Sequence, residues 1–217
     1  MSPSTNNLQW AAAIASAAVM AIGIVVFDWP AFTVLAFYWL ENVIIGGFTA
    51  LRILAAGART ERYGESLATT AFFSVHYGLF CTVHGIFVAT LFGGIRTMSS
   101  TADPLLLMVG RIAGDRIGLL VVAAMVVAAA LDAWRAMAAL DADDPKVIRH
   151  IMSEPYGRIV VLHLVLLSGG FLMAALKLPS LAALLLVAFK LVYDLLMLRR
   201  RQAAALSQEF ASASQPD

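Results

Sequence analysis

Charged residues are scarce in this chain. Lys, Arg, Asp and Glu make up 13% of its 217 residues, and the formal net charge is only +1, whereas about 25% charged residues is usual for a soluble domain. A chain without a basic field does not attract DNA or RNA, so we expect no nucleic acid partner. The single cysteine excludes a disulfide framework and a cysteine-only metal cluster. Phosphate-binding glycine loops, serine-hydrolase elbows and redox-active cysteine pairs are also absent.

Hydrophobic residues are correspondingly abundant, at 61% of the chain. They form continuous stretches close to the ~20 residues that a helix needs to cross a bilayer. The stretches lack the alternation of barrel strands, so helices are the expected structure. The sequence therefore predicts an all-α, polytopic transmembrane bundle with six spans, at 8–27, 31–51, 68–92, 117–138, 157–176 and 180–198.

The loops give the expected topology. Arg and Lys are concentrated after the second and fourth predicted spans and in the C-terminal tail, which places both termini in the cytoplasm by the positive-inside rule. We expect one transmembrane domain over residues 1–201 and a flexible cytoplasmic tail over 202–217. The linker between spans three and four is predicted to contain a helical extension, and the gap at 139–156 one short surface helix.

Several polar residues fall inside the predicted spans, where a charge costs ~2.5–3.5 kcal/mol. Depths estimated from the helical rise of about 1.5 Å per residue sort them into two layers. The lower layer is predicted to hold His76, Asp132, His163, Lys190 and Asp194, and the upper layer Glu41, Asn42, Cys81 and His84. Lys190 and Asp194 are four residues apart, a spacing that predicts an ion pair on one helix face. The alternative for this pair is a proton relay or an anion site.

The upper layer is open to three interpretations. Cys81 and His84 share a helix face, and Glu41 on the preceding helix could meet them. These three residue types are all zinc ligands, and they also suit a Cys–His nucleophile pair with an orienting acid. Alternatively, Cys81 is an apolar filler and Glu41 is protonated and bonded to Asn42 or Tyr38. Whether the chain is an enzyme therefore stays open.

Haem is a less favoured cofactor. Two histidines at one depth on different helices, such as His76 and His163, could ligate a haem iron axially. The chain lacks the paired histidines on two helices that would indicate stacked haems.

Two segments carry a resemblance to a known family. They are Tyr-Trp-Leu-Glu-Asn-Val-Ile-Ile-Gly at 38–46 and His-Tyr-Gly-Leu-Phe-Cys-Thr-Val-His-Gly-Ile-Phe at 76–87. Together they resemble a family of small bacterial integral membrane proteins of unknown function. The resemblance implies a helical bundle in a bacterial inner membrane and implies no activity. It selects Glu41, Asn42, His76 and His84 as the first site candidates.

The leading functional hypothesis is an intramembrane site for zinc or another divalent metal. Its expected ligands are Glu41, His76, His84 and His163, and its expected supporting residues are Asn42, Cys81, Asp132, Lys190 and Asp194. The alternatives are a proton-linked transporter or channel for a small solute and a non-catalytic membrane partner protein. In each case we expect a multi-pass protein of the bacterial cytoplasmic membrane, in contact with lipid, with a second copy or another membrane protein as a further partner.

Overall fold

The computed structural model describes residues 3–94, 102–114, 116–157, 159–160, 163–164, 184–185, 187–196, 198–199 and 203. All regular structure in these ranges is helical, which confirms the predicted all-α fold for this part of the chain. The helices are α1 Pro3–Val26, α2 Ala31–Arg59, α3 Tyr63–Phe87, α4 Ala102–Ala113, α5 Arg116–Ala138 and α6 Val147–Ser153. One π-helical turn, Val88–Phe92, extends α3.

Three helices are long and apolar enough to cross a membrane: Ala31–Arg59, Tyr63–Phe92 and Arg116–Ala138. They coincide with the second, third and fourth predicted spans. The first predicted span lies in α1. The fifth and sixth spans and the tail lie largely outside the described residues. The count of six spans, the cytoplasmic termini and the single domain therefore stay predictions.

The chain divides into two compact units, which are described separately. The first unit comprises Met1–Ala31 and Phe171–Asp217, and the second comprises Phe32–Gly170. In the first unit, the main-chain N–H of Trp29 donates to the carbonyl of Gly23 at 2.9 Å and closes the end of α1. The Trp29 indole occupies the space that a Cβ on Gly23 would fill. This glycine therefore permits the tight turn that follows α1.

In the second unit, α2 and α3 form an antiparallel hairpin with closely packed backbones. A Cβ added at Gly46 would lie 2.5 Å from the ring of Tyr77, and one added at Gly57 would lie 2.0 Å from Ser66. Small residues at such positions allow membrane helices to approach each other closely. This packing gives the hairpin its register and brings the polar face of α2 against α3.

Arginines of the α2–α3 turn hold the end of α5. Arg59 donates to the main-chain oxygen of Met137, and Arg62 donates to that of Pro145 at 2.7 Å. Arg62 also pairs with Glu65 at 2.6 Å. These contacts place the α2–α3 turn and the C-terminal end of α5 at the same end of the unit. Two of the three basic segments that the sequence places on one side of the membrane therefore lie at one end of the unit, and their side of the membrane stays a prediction.

At the other end of the unit, α4 packs against the extended α3. Met108 and Ile112 are buried, while Arg111 donates to the carbonyl of Gly93 at 3.2 Å and lies 5.6 Å from the Phe32 ring centroid. This helix confirms the predicted extension between the third and fourth spans. Its arginine joins the ends of α2, α3 and α4.

The short helix α6 lies in the gap at 139–156 where one short surface helix is predicted, and it buries Val147, Ile148 and Ile151. It belongs to one apolar cluster with residues of α2, α3 and the following segment: Ile53, Ala56, Phe73, Tyr77, Cys81, Val147, Ile148, Ile151 and Ile159. The chain after α6 therefore begins alongside the middle of the hairpin and not at its end. This position determines which residues meet in the candidate site.

Candidate functional site

Two histidines from separate helical segments form a hydrogen-bonded pair in the second unit. Nε2 of His84 on α3 lies 2.9 Å from Nδ1 of His163, and the ring centroids are 5.2 Å apart at an interplanar angle of 72°. His84 is buried, with 3% of its surface exposed, whereas His163 is exposed. The pair therefore joins a buried imidazole to one at the surface of the described chain.

The hydrogen-bond partners define where the protons of the pair reside. Nδ1 of His84 lies 2.7 Å from the main-chain oxygen of Phe80. A carbonyl oxygen only accepts, so Nδ1 of His84 carries a hydrogen and, in the neutral ring, Nε2 is an acceptor. Nδ1 of His163 must then donate to it. This arrangement leaves Nε2 of His163 as the basic nitrogen of the neutral pair.

The contact between these two histidines overturns the predicted layers. The depth estimate places His163 in the lower layer and His84 in the upper one, because it starts the fifth span at the membrane surface. In the structure Tyr156, soon after α6, already contacts Tyr77 in the middle of α3, with ring centroids 6.2 Å apart. The segment that carries His163 therefore begins deeper than the estimate assumes, and His163 reaches the level of His84.

His76 meets Tyr156 and not His163. The ring centroids of His76 and Tyr156 are 5.8 Å apart, and His76 stacks on Phe72 at 5.4 Å. His76 and His84 are eight residues apart, and Tyr156 and His163 are seven apart. Two contacts at nearly equal spacing show that Tyr156 and His163 follow one another along α3 in its own chain direction. The spacing is present in the sequence, but Tyr156 was not predicted as a site residue.

A second polar cluster lies between α2 and α3. The indole N–H of Trp39 donates to the carbonyl of Cys81 at 2.6 Å, and Nδ2 of Asn42 donates to the carbonyl of Tyr38 at 2.7 Å. The hydroxyl of Tyr77 donates to the carbonyl of Asn42 at 3.1 Å. Cys81 contributes a main-chain oxygen here, while its side chain packs in the apolar cluster.

The other predicted residues are found in different surroundings. Glu41 is half-buried on α2, and its Oε2 is shielded from solvent. Asp132 on α5 is 73% exposed and pairs with Arg135 at 3.8 Å, at a distance typical of a weak surface ion pair. In the first unit, Lys190 and Asp194 form the predicted ion pair at 3.0 Å, with side chains 14% and 18% exposed.

In the described part of the chain, no three His, Cys, Asp or Glu side chains gather closely enough to hold a metal ion. Both ring nitrogens of His84 are already engaged in hydrogen bonds. A metal ligated by this pair would therefore bind Nε2 of His163, with His84 acting through the second nitrogen of that ring. The four-ligand zinc site receives no support from this geometry and stays a prediction.

An ion pair that was not predicted lies at the start of the segment carrying His163. Arg52 donates to both carboxylate oxygens of Glu154, at 2.6 and 3.3 Å. The second predicted span ends at residue 51, just before Arg52, but α2 continues through Arg52 to Arg59. Because Glu154 precedes the fully buried Pro155, the pair fixes where the segment leaves α6. A charged pair so far apart in sequence has no local signal.

The comparisons with known proteins concern the whole chain. No curated protein and no solved structure matches it. The profile described as "Family of unknown function (DUF6498)" matches residues 1–210. Because this match covers nearly the whole chain, the protein belongs to this family of unknown function.

Proposed function

We propose that the protein is a multi-pass protein of the bacterial cytoplasmic membrane that acts as a proton-linked carrier for a small solute. The hydrogen bond between His84 and His163 is the observation that carries this proposal. Histidine is the side chain whose charge ordinarily changes between pH 5 and 8. An ionisable residue inside a membrane helix is a candidate functional residue because burying it is costly.

The pair can take up one proton without losing a hydrogen bond. A proton added to Nε2 of His163 leaves the bond from its Nδ1 to His84 intact, and Nδ1 of His84 still donates to Phe80. A second proton would put hydrogens on both facing nitrogens and break the contact. The pair therefore behaves as a one-proton acceptor with its buried end fixed and its exposed end accessible.

The proton site can be tested by ¹⁵N NMR of histidine-labelled protein in lipid nanodiscs. We expect a single proton uptake at Nε2 of His163 and a protonated Nδ1 of His84 in both states. His163→Gln should abolish this uptake. His150→Gln is the matched control, because His150 is exposed and pairs with Asp144 at 3.1 Å near α6. If His84 and His163 each took up a proton independently, with the tautomer of one ring unaffected by the other, the proposed pair would be contradicted.

Transport is tested with the same variants in proteoliposomes. A membrane potential is imposed with potassium and valinomycin, candidate solutes are supplied outside, and an enclosed pH dye reports proton entry. We expect solute-dependent proton entry that His84→Gln and His163→Gln abolish and His150→Gln leaves unchanged. Proton entry that persists in both pair variants would refute a role for the pair in transport.

Metal binding is a second candidate function, favoured by the tautomer of the pair. A metal-ligating histidine usually donates its other ring N–H to an acceptor that orients it, and Nδ1 of His163 does this toward His84. Elemental analysis of the purified protein tests this function. Stoichiometric zinc that is lost in His163→Ala would support it, whereas metal content unchanged by His163→Ala and Glu41→Ala would contradict it.

A further inference from the structure

One face of α3 carries a row of four aromatic rings, two of which are imidazoles. Its members are Phe72, His76, Phe80 and His84, at every fourth position, a spacing that places side chains on one helix face. Neighbouring rings of the row are in contact, with centroids 5.4, 5.4 and 5.9 Å apart. The row therefore connects His76 with the His84–His163 pair through the ring of Phe80.

His76 is a polar residue in a wholly aromatic environment. It lies near the midpoint of the 30-residue span Tyr63–Phe92, and its side chain is exposed. Its ring contacts are Phe72, Phe80 and Tyr156, and Tyr156 is the titratable residue among them. In the described part of the chain, no group forms a hydrogen bond with its ring nitrogens. A histidine so placed in a membrane helix is costly and is a candidate proton-relay residue.

The ring of Phe80 separates His76 from the pair. It stacks on His84 at an interplanar angle of 18° and meets His76 at 63°. His76 and His84 are eight residues apart, which is about 12 Å along the helix axis. A proton is passed between groups at hydrogen-bond distance, about 2.7–3.2 Å, and a phenyl ring neither donates nor accepts one. Transfer between His76 and the pair therefore requires water in the place of this ring.

The Phe80 side chain can leave its place without disturbing the pair. It is 37% exposed, whereas His84 is 3% exposed, so the phenyl ring can rotate toward the surface while the imidazole stays buried. Nδ1 of His84 donates to the main-chain oxygen of Phe80, which does not depend on the side chain. An apolar constriction of this kind blocks a membrane pathway by excluding water from it.

We propose that the Phe80 ring controls proton access to the His84–His163 pair, and that His76 exchanges protons with the pair when this ring rotates away. This inference rests on the proposed carrier function and names how its proton site is regulated. His76 lies nearer than His84 to the α2–α3 turn, because α3 begins there at Tyr63. The exchange therefore serves that end of the unit, and with the ring in place protons do not pass without solute.

Proton entry into proteoliposomes in the absence of solute tests this inference, with an imposed membrane potential and an enclosed pH dye. The unchanged protein should admit no more protons than protein-free liposomes. Phe80→Ala should lose this barrier and admit protons without solute, because water fills the space of the ring. Phe80→Leu keeps an apolar side chain and should stay closed. Adding His76→Gln to Phe80→Ala should return proton entry to the level of the liposomes.

Phe72→Ala is the matched control, since Phe72 also lies 5.4 Å from His76 and is exposed, but on the side away from the pair. It should admit no protons without solute. The protonated Nδ1 of His84 in the ¹⁵N spectrum of each variant shows that the pair is intact, because its acceptor is the main chain.

The outcomes separate this inference from the carrier function. A closed Phe80→Ala protein, in a chain that shows solute-dependent proton entry, would overturn the role of Phe80 alone. Proton entry that persists after His76→Gln is added, or that is equal in Phe72→Ala, would overturn it as well. If Phe80→Ala admits protons through His76 but no solute drives proton entry in the unchanged protein, the carrier function is overturned and the proton route is supported.

Discussion

Gly46 and Gly47 are adjacent on α2, yet a methyl group added to each should have opposite effects. A Cβ on Gly46 would lie 2.5 and 2.9 Å from two ring carbons of Tyr77, whereas a Cβ on Gly47 meets nothing within 4 Å. Tyr77 is 3% exposed and cannot swing into solvent. Its hydroxyl is also bonded to the carbonyl of Asn42, so moving the ring breaks that bond too.

The magnitudes follow from these contacts. Overpacking a well-packed core costs about 1–3 kcal/mol, and losing the Tyr77 hydrogen bond costs about 0.5–1.5 kcal/mol more. Replacing glycine with alanine within a helix stabilises the folded state by about 0.5–1 kcal/mol. We therefore expect Gly46→Ala to lower the free energy of unfolding by about 1–3 kcal/mol and Gly47→Ala to raise it slightly.

Reversible unfolding in detergent micelles, followed by helical circular dichroism, measures both changes. Tyr77→Ala combined with Gly46→Ala should cost less than the sum of the single changes, because the methyl group then enters the space left by the ring. Equal unfolding free energies for Gly46→Ala and Gly47→Ala would refute the close packing of α2 on α3 at Gly46.

Three further changes test individual contacts by the same unfolding measurement. Glu154→Gln should lower the free energy of unfolding by about 1 kcal/mol, because the carboxylate of its two-bond ion pair with Arg52 is half-exposed. In about 1 M salt the variant and the unchanged protein should differ much less in this free energy. Lys190→Met should cost about 1–3 kcal/mol by removing the cation that pairs with the partly buried carboxylate of Asp194, and adding Asp194→Leu should recover most of that loss; a double variant as unstable as the single one would contradict the pairing. Trp39→Phe should cost about 0.5–1.5 kcal/mol because the carbonyl of Cys81 loses its side-chain donor and keeps only its main-chain bond within α3, and a neutral result would contradict this bond.

Local features of the site were predictable from the sequence, and long-range ones were not. The Lys190–Asp194 pair follows from helix geometry alone, because positions four apart always share a face. His84 and His163 are 79 positions apart, and their meeting depends on where α6 packs along α3. A depth estimate counts residues from a presumed surface and carries no information about that packing. The Arg52–Glu154 pair also depends on this packing, so it could not be predicted from the sequence.

Polar side chains of the spans differ in how much of their hydrogen bonding their own helix supplies. Thr49 and Thr90 each donate one hydroxyl to the carbonyl four residues earlier, at 2.8 and 2.7 Å, and that bond satisfies their only donor. Asn42 and His84 form the same local bond, at 2.7 Å in each case, but each carries a second polar atom that faces away from it. For His84 that atom is met by His163, and for Asn42 no described residue meets it. The second atom, rather than the polarity of the residue as a whole, therefore decides which polar residues of a membrane helix are candidates for function.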